Sequence, residues 1–162
     1  MSEPKGRETR TRELPKAIRG GRASAEHLFG LPKRDIAVRL RNLGINPTAQ
    51  RTEIAFMLLE KAQHVSAEEV LGRLNGEYER VSQATVYNTL RLFVQKGLLR
   101  ELVHSPERVY YDSNVSYHHH FYDLDTGEIS DLPGNILQLG QLDSTTTVEE
   151  ISVIVKGRKR RS

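Results

Sequence analysis

Between Leu31 and Gly97, apolar residues recur at helical spacing in four successive stripes, three of them closed by a glycine. In LPKRDIAVRLRNLG the stripe is Ile36, Leu40 and Leu43, and Gly44 supplies the stop. Pro47-Thr48 restarts the chain with Thr48 as N-cap, and Ile54, Leu58 and Ala62 stripe a second helix. Ser66 and Glu69 have the spacing of a capping box, followed by inward-facing Val70, Leu71 and Leu74 and ended by Gly76. Ser82 caps a fourth helix with the stripe Val86, Leu90 and Phe93 and the stop Gly97. LLRELVH and VYYD then flank Ser105-Pro106-Glu107-Arg108, the pattern of a hairpin. Helices followed by a small hairpin describe a winged helix-turn-helix, and the predicted fold class is α+β.

The later chain has another character. HHHFYDLD and EISDL are β-prone runs around Asp125-Thr126-Gly127-Glu128, Pro133-Gly134 breaks the chain, NILQLGQL suits a short helix, and VEEISVIVKG is the strongest strand signal. So small a unit buries little surface alone, so it is expected to be an α/β dimerisation domain, held by strand pairing and apolar residues such as Ile151, Val153 and Val155. Charge divides the same way. Residues 1–112 hold 19 Lys and Arg against 14 Asp and Glu, residues 113–155 hold seven acids and no Lys or Arg, and KGRKRRS closes the chain. The expected organisation is a basic arm over 1–29, a winged helix over 30–112, a dimerisation and sensing domain over 113–156 and a basic tail over 157–162.

The absence of cysteine removes disulfides, thiolate zinc and a cysteine nucleophile together. No run approaches the roughly eighteen apolar residues of a spanning helix, and the charged start MSEPKGRETRTREL lacks the apolar core of a secretory signal. A cytoplasmic protein is expected. The chain also lacks a glycine-rich phosphate loop, a nucleophile elbow and an HExxH motif. It is therefore not expected to be an enzyme, although a metal-dependent hydrolase stays as an alternative.

Chemistry concentrates in two places. On the fourth helix Ala84, Tyr87, Asn88, Arg91 and Gln95 lie opposite the apolar stripe; with Thr85 near its start, that helix is the expected reader of DNA. His118-His119-His120 is the second place. On a strand, His118 and His120 share one face and His119 takes the other. Two imidazoles with acids nearby in sequence (Asp112, Asp123, Asp125, Asp131) suit Zn²⁺, Fe²⁺ or Mn²⁺, and a single histidine suits haem iron. His64 gains interest only if folding carries it to His118. His27 and His104 have no such context.

These segments resemble the ferric uptake regulator (Fur) superfamily. The resemblance spans about Leu43 to Leu132 and is carried by GINPTAQRTEI, HVSAEEVLGRL, SQATVYNTLRLFVQKGLL and VYYD followed by HHHFYDLDTGEISDL. It implies a double-stranded DNA operator, a homodimer and a metal-sensing site between the two parts. Tyr87 falls on the family tyrosine, Asn88 stands where many members have arginine, and Arg51 matches a family arginine. The family's regulatory ligands fall on His64, Asp112, His118 and His120, and a further family acid falls on Gln138. Asp123 and Thr126 occupy the places of the family's C-x-x-C structural zinc site, so no structural zinc held by four cysteines is expected. In this, and in its HHH-F motif, the chain is similar to the iron response regulator (Irr) branch of rhizobia and related α-proteobacteria. That similarity implies control of iron and haem-metabolism genes, haem bound at His118, His119 and His120, and a haem-delivering protein as a partner. A peroxide sensor or a zinc/manganese sensor of the same fold, without haem, is the alternative within the class.

Overall fold

The structure, a computed structural model, describes residues 29–78, 80–105, 108–136 and 151–160. Its elements run α1 (Lys33–Asn42), α2 (Ala49–Leu58), β1 (His64–Ser66), α3 (Ala67–Asn75), α4 (Gln83–Gln95), β2 (Arg100–Ser105), β3 (Arg108–Asp112), β4 (His118–Asp123), β5 (Ile129–Pro133) and β6 (Ile154–Gly157).

The helix ends follow the local chemistry of the sequence. The Thr48 hydroxyl accepts from the Arg51 amide at 3.3 Å and begins α2. Ser66 and Glu69 form the full reciprocal box: the Glu69 amide donates to the Ser66 hydroxyl at 3.2 Å, and the Ser66 amide donates to the Glu69 carboxylate at 2.8 Å. The Ser82 hydroxyl accepts from the Thr85 amide at 3.3 Å and begins α4. One expectation fails. Helix α2 ends at Leu58, where the Gln63 side-chain amide donates to the carbonyls of Met57 and Leu58, so Ala62 lies exposed beyond the helix rather than on its stripe.

Ile36, Leu40, Ile54, Leu58, Val70, Val86, Leu90 and Phe93 are all buried and pack into one core with Val65 and Tyr111. Burial is worth roughly 1.5–3 kcal/mol for each large side chain, so packing holds these short helices, which would be marginal alone. The antiparallel sheet β1-β3-β2 closes this core on one side. β2 and β3 form the expected hairpin. β1 was not expected as a strand: it pairs with the far side of β3, setting His64 opposite Asp112 and Val65 opposite Tyr111.

The second sheet has the order β5-β4-β6, with β5 antiparallel and β6 parallel to the central β4. Between β4 and β5 the Asp123 carboxylate, 3% exposed, accepts from the amides of Asp125 (2.9 Å) and Thr126 (3.4 Å). Gly127 completes the turn at φ +73°, a conformation that favours glycine. Arg158, just past β6, pairs with Asp125 at 2.7 Å and ties the end of β6 to this turn. The strand expected over VEEISVIVKG begins only at Ile154, with Val153 contributing its carbonyl to the His120 amide. Val148 to Glu150 lie outside the described residues, as do the arm up to Leu28, Gln138 and all of NILQLGQL except Asn135 and Ile136, which sit in a turn and bend after β5.

Candidate metal centre

Strand geometry gathers the donors. The β1–β3 register sets His64 beside Asp112, and alternation along β4 points His118 and His120 to one side. Together these four residues offer one ligand atom each, all within 4.8 Å of one another. The Nε2 atoms of His118 and His120 are 2.9 Å apart. Asp112 Oδ2 lies 3.1 Å from His118 Nε2 and 3.4 Å from His120 Nε2, and Asp112 Oδ1 lies 3.7 Å from His64 Nε2. Donors about 2.0–2.1 Å from a tetrahedral ion stand about 3.3 Å from each other, so these separations bracket what such an ion requires.

Two further observations fit a cation. His64 Nε2 is buried and makes no well-aligned hydrogen bond, its near neighbours being the carboxylate oxygens of Asp131 (3.0 Å) and Asp112 (3.7 Å), an arrangement that a cation among these atoms would satisfy. The Ser116 carbonyl lies 2.9 Å from His118 Nδ1 and can only accept, so it keeps a proton on Nδ1; in the neutral imidazole this leaves the Nε2 lone pair facing the cluster, and in the protonated one Nε2 donates to Asp112. Burial alone would raise the Asp112 pKa. Hydrogen bonds from His118 and His120 and the nearby His64 outweigh it, and the carboxyl sits below its ordinary value. Burial opposes protonation of His118, yet the hydrogen bond and charge of Asp112 prevail and raise its pKa.

Asp131 joins the cluster from β5. Its Oδ1 is 3.0 Å from His64 Nε2 and 3.5 Å from His118 Nε2. Burial pushes its pKa up, but His64, Asn114 and His118 overcome this and hold it at about 2. The sequence reading placed it among nearby acids but not among the ligands. Its signal was countable: a hairpin folded about Asp125-Thr126 sets residue 131 opposite residue 120, and directly opposed residues share a face. Asn114 supports both acids, its backbone amide donating to Asp112 Oδ1 at 2.7 Å and its side chain to Asp131 Oδ2 at 2.8 Å. Beside His64, the Gln63 backbone amide donates to the Ser113 hydroxyl at 3.0 Å, and Arg73 of α3 donates to the Gln63 side chain at 2.8 Å. An open cleft of about 740 Å³, lined by Lys61, His64, Arg73, Tyr110, Glu128 and Asp131 among others, reaches the cluster from solvent.

His119 points away from these donors, with its Nε2 3.4 Å from the Tyr117 hydroxyl. Burial first, then the neighbouring His118 and His120, lower its pKa. All three histidines are at most 7% exposed. Haem bound at these histidines is therefore not supported: none of the three presents its ring at an open surface of the described residues. Among the DNA-reading candidates, Tyr87, Asn88 and Arg91 share the exposed face of α4. Thr85 turns back to the Ser82 hydroxyl at 2.9 Å, and Arg51, on α2, donates to the Asn46 carbonyl at 3.1 Å.

A winged helix linked to a second sheet through a buried His/Asp cluster leaves four donors that could hold a metal ion where the two sheets meet. Residues 42–153 match the Ferric uptake regulator family, and the chain belongs to it. The family is one of transcription regulators, not enzymes. The peroxide-responsive repressor PerR of Staphylococcus aureus (strain Mu50 / ATCC 700699) is 34% identical over 92 residues, covering 57% of this chain and 62% of that protein. The chain thus spans less than two thirds of the length of such relatives. The ferric uptake regulator of Pseudomonas aeruginosa with manganese is 25% identical, with TM-score 0.57, over 76% of this chain and 97% of that one. That of Francisella tularensis with iron, at 20% identity and TM-score 0.59 over 72% and 93%, is alike in fold. No helix among the described residues is long and apolar enough to cross a membrane.

Proposed function

We propose that the chain is a homodimeric DNA-binding transcription regulator whose operator affinity is set by a divalent cation held by His64, Asp112, His118 and His120, with Asp131 as a fifth donor. The observation that carries this reading is the origin of the donors: His64 and Asp112 belong to the winged-helix sheet, and His118, His120 and Asp131 to the second sheet. A bound Fe²⁺, Mn²⁺ or Zn²⁺ would supply charge and directional bonds that fix the two parts in one relation. Residues 30–112 then form the reading unit, with Tyr87, Asn88, Arg91, Thr85 and Arg51 facing DNA, and residues 113–156 the dimer and sensing unit. Two recognition helices at a fixed spacing select DNA of matching half-site spacing, which links metal affinity to operator affinity.

Iron and haem-metabolism genes are the proposed targets, supported by the HHH-F motif and by the acid at position 123. Within that reading the cation is favoured over haem as the signal, because His118 and His120 are committed to Asp112 and His119 is buried. Peroxide sensing is the second reading, favoured by the name of the Staphylococcus aureus relative.

The deciding experiment first selects a duplex from a random library with the Mn²⁺-loaded chain. Binding of that duplex is then titrated with metal-free protein and with Fe²⁺, Mn²⁺, Zn²⁺ or haem added separately, following the haem Soret band, and the metal arms are repeated after exposure to peroxide. Specific binding that one cation changes by about tenfold or more, and that weakens steeply with salt, supports the regulator. Binding indifferent to every cation refutes the metal reading, and loss of binding only after peroxide favours the second.

A further inference from the structure

Glu68 is the second acid in the first turn of α3, beside the Ser66–Glu69 capping pair. Ser66 and Glu69 satisfy each other, while Glu68, on the next face of the first turn, reaches across to α4. There its carboxylate accepts from the Tyr87 hydroxyl at 2.6 Å, a short, charge-assisted bond. Tyr87 lies on the exposed face of the helix proposed to read DNA, with Asn88 and Arg91 beside it.

The other end of this connection is the metal cluster. The path from His64 to Glu68 is short, and no part of it is slack. Val65 and Ser66 are held in β1 opposite Tyr111 and Tyr110. Ser66 is fully buried and locked to Glu69 by the reciprocal box, and Ala67 and Glu68 are the first two residues of α3. A donor of the cluster and the partner of Tyr87 therefore sit on one rigid piece. Tyr87 sits on a different element, α4. Movement of the β1–α3 piece against α4 would alter the Glu68 bond, while Gln83 in the first turn of α4 hydrogen-bonds the same hydroxyl from Tyr87's own helix. β3 flanks the same path: Asp112 faces the cluster, while the preceding Tyr111 packs in the helical core, within electrostatic reach of Glu68, Tyr87 and Arg91.

We propose that Glu68 is a positioning residue that sets the Tyr87 side chain according to whether the His64 cluster is loaded. The inference rests on the metal-regulator reading above and adds to it a defined route from cluster to recognition helix. In the loaded state β1 is drawn to the second sheet through His64, and the Glu68–Tyr87 bond takes one geometry. In the unloaded state β1 keeps its pairing with β3, its Val65 in the core and the His64–Asp131 contact, but lacks the pull of a cation, and the Glu68–Tyr87 bond takes another geometry. The two sites then bias one two-position element, which is what physical coupling requires.

The test uses the full chain labelled with ζ-¹³C-tyrosine and Zn²⁺ as a diamagnetic probe. Tyr87→Phe identifies the Tyr87 resonance by its disappearance. In the parent, Zn²⁺ is expected to shift and sharpen that resonance. In Glu68→Ala the same Zn²⁺ stoichiometry is expected to leave it unmoved, and Glu68→Gln, which keeps an acceptor, is expected to restore part of the shift. With the selected duplex, Glu68→Ala is expected to shrink the Zn²⁺-dependent change in affinity about tenfold, the scale of one hydrogen bond to a charged group. A Tyr87 resonance indifferent to Zn²⁺ in the parent, or one that responds equally in Glu68→Ala, overturns the proposal while leaving the metal reading intact. Failure of the parent to bind Zn²⁺, Mn²⁺ and Fe²⁺ alike, seen by calorimetry and equilibrium dialysis, overturns both.

Discussion

His64 Nε2 and Asp131 Oδ1 lie 3.0 Å apart, joining the strand ahead of α3 to an outer strand of the other sheet. The pair brings one donor from each part of the molecule to the same place, on the side of the cluster that the solvent cleft reaches.

Asp131 should therefore matter more to some ions than to others. His64, Asp112, His118 and His120 already make a four-donor set for Zn²⁺, whereas Mn²⁺ favours more oxygen donors. Asp131→Ala is expected to weaken Mn²⁺ binding by about 10–100-fold and Zn²⁺ binding by much less, as read by titration calorimetry. Equal losses for both ions would mean that Asp131 only orients His64.

Asn114 holds Asp131 through its side chain and Asp112 through its backbone. Asn114→Ala removes the first bond and keeps the second, so metal affinity is expected to fall by about tenfold with the fold unchanged. Unaltered affinity in that variant would count against a supporting role.

The pH dependence follows from two opposite shifts. The His118 pKa is raised above its ordinary 6.5, so its contribution to metal-free stability is complete below that value and is lost as pH rises through the folded pKa. The Asp131 pKa is lowered from 3.8 to about 2, so its contribution is present above 3.8 and is lost as pH falls toward 2. The metal-free cluster is thus most stabilising from about pH 4 to 6.5. Binding of a cation needs neutral His118 and releases its proton. The difference in melting temperature between Zn²⁺-loaded and metal-free protein is expected to widen from about pH 6 to about pH 8, and a difference that stays constant would show that His118 does not titrate with loading.

At the head of α3, Ser66→Ala is expected to destabilise the chain by about 1 kcal/mol in urea denaturation, through loss of the Glu69 amide's acceptor. Ser66 is fully buried, so a change under about 0.3 kcal/mol would show that the turn is held by packing alone.

Gly134 lies against the ring of Tyr117, where an added Cβ would come within 2.5 Å of two ring carbons. Gly134→Ala is expected to cost about 1–3 kcal/mol by overpacking and to displace Tyr117 from His119, which the tyrosine Cζ resonances would report. A variant as stable as the parent would show that Tyr117 has room to move.

What the sequence made legible was local. Thr48, Ser66 and Ser82 announce helix starts because a cap is a contact with residues three positions on, and the stripes from Ile36 to Phe93 announce a buried face because helical spacing does. β1 escaped because His64-Val65-Ser66 is too short to carry a period; only its pairing with β3, far along the chain, makes it a strand. The placing of His64 beside Asp112 escaped the periodicities for the same reason, and came instead from the family resemblance. Asp131 is an intermediate case, since hairpin register was countable from the turn at Asp125 but had to be combined with the facing of His120. Ala62 was misassigned because the end of α2 is set by a side chain from beyond it, Gln63.

The turn closed by Asp123 has a consequence for how the second sheet forms. Its carboxylate is satisfied by backbone amides, and the chain contains no thiolate ligand that would have to be kept reduced or filled with metal before this hairpin can form. Folding of the second sheet is thereby separated from the supply of metal and of reductant. The second sheet can then form before any cation is bound, so loading of the seam follows folding rather than driving it.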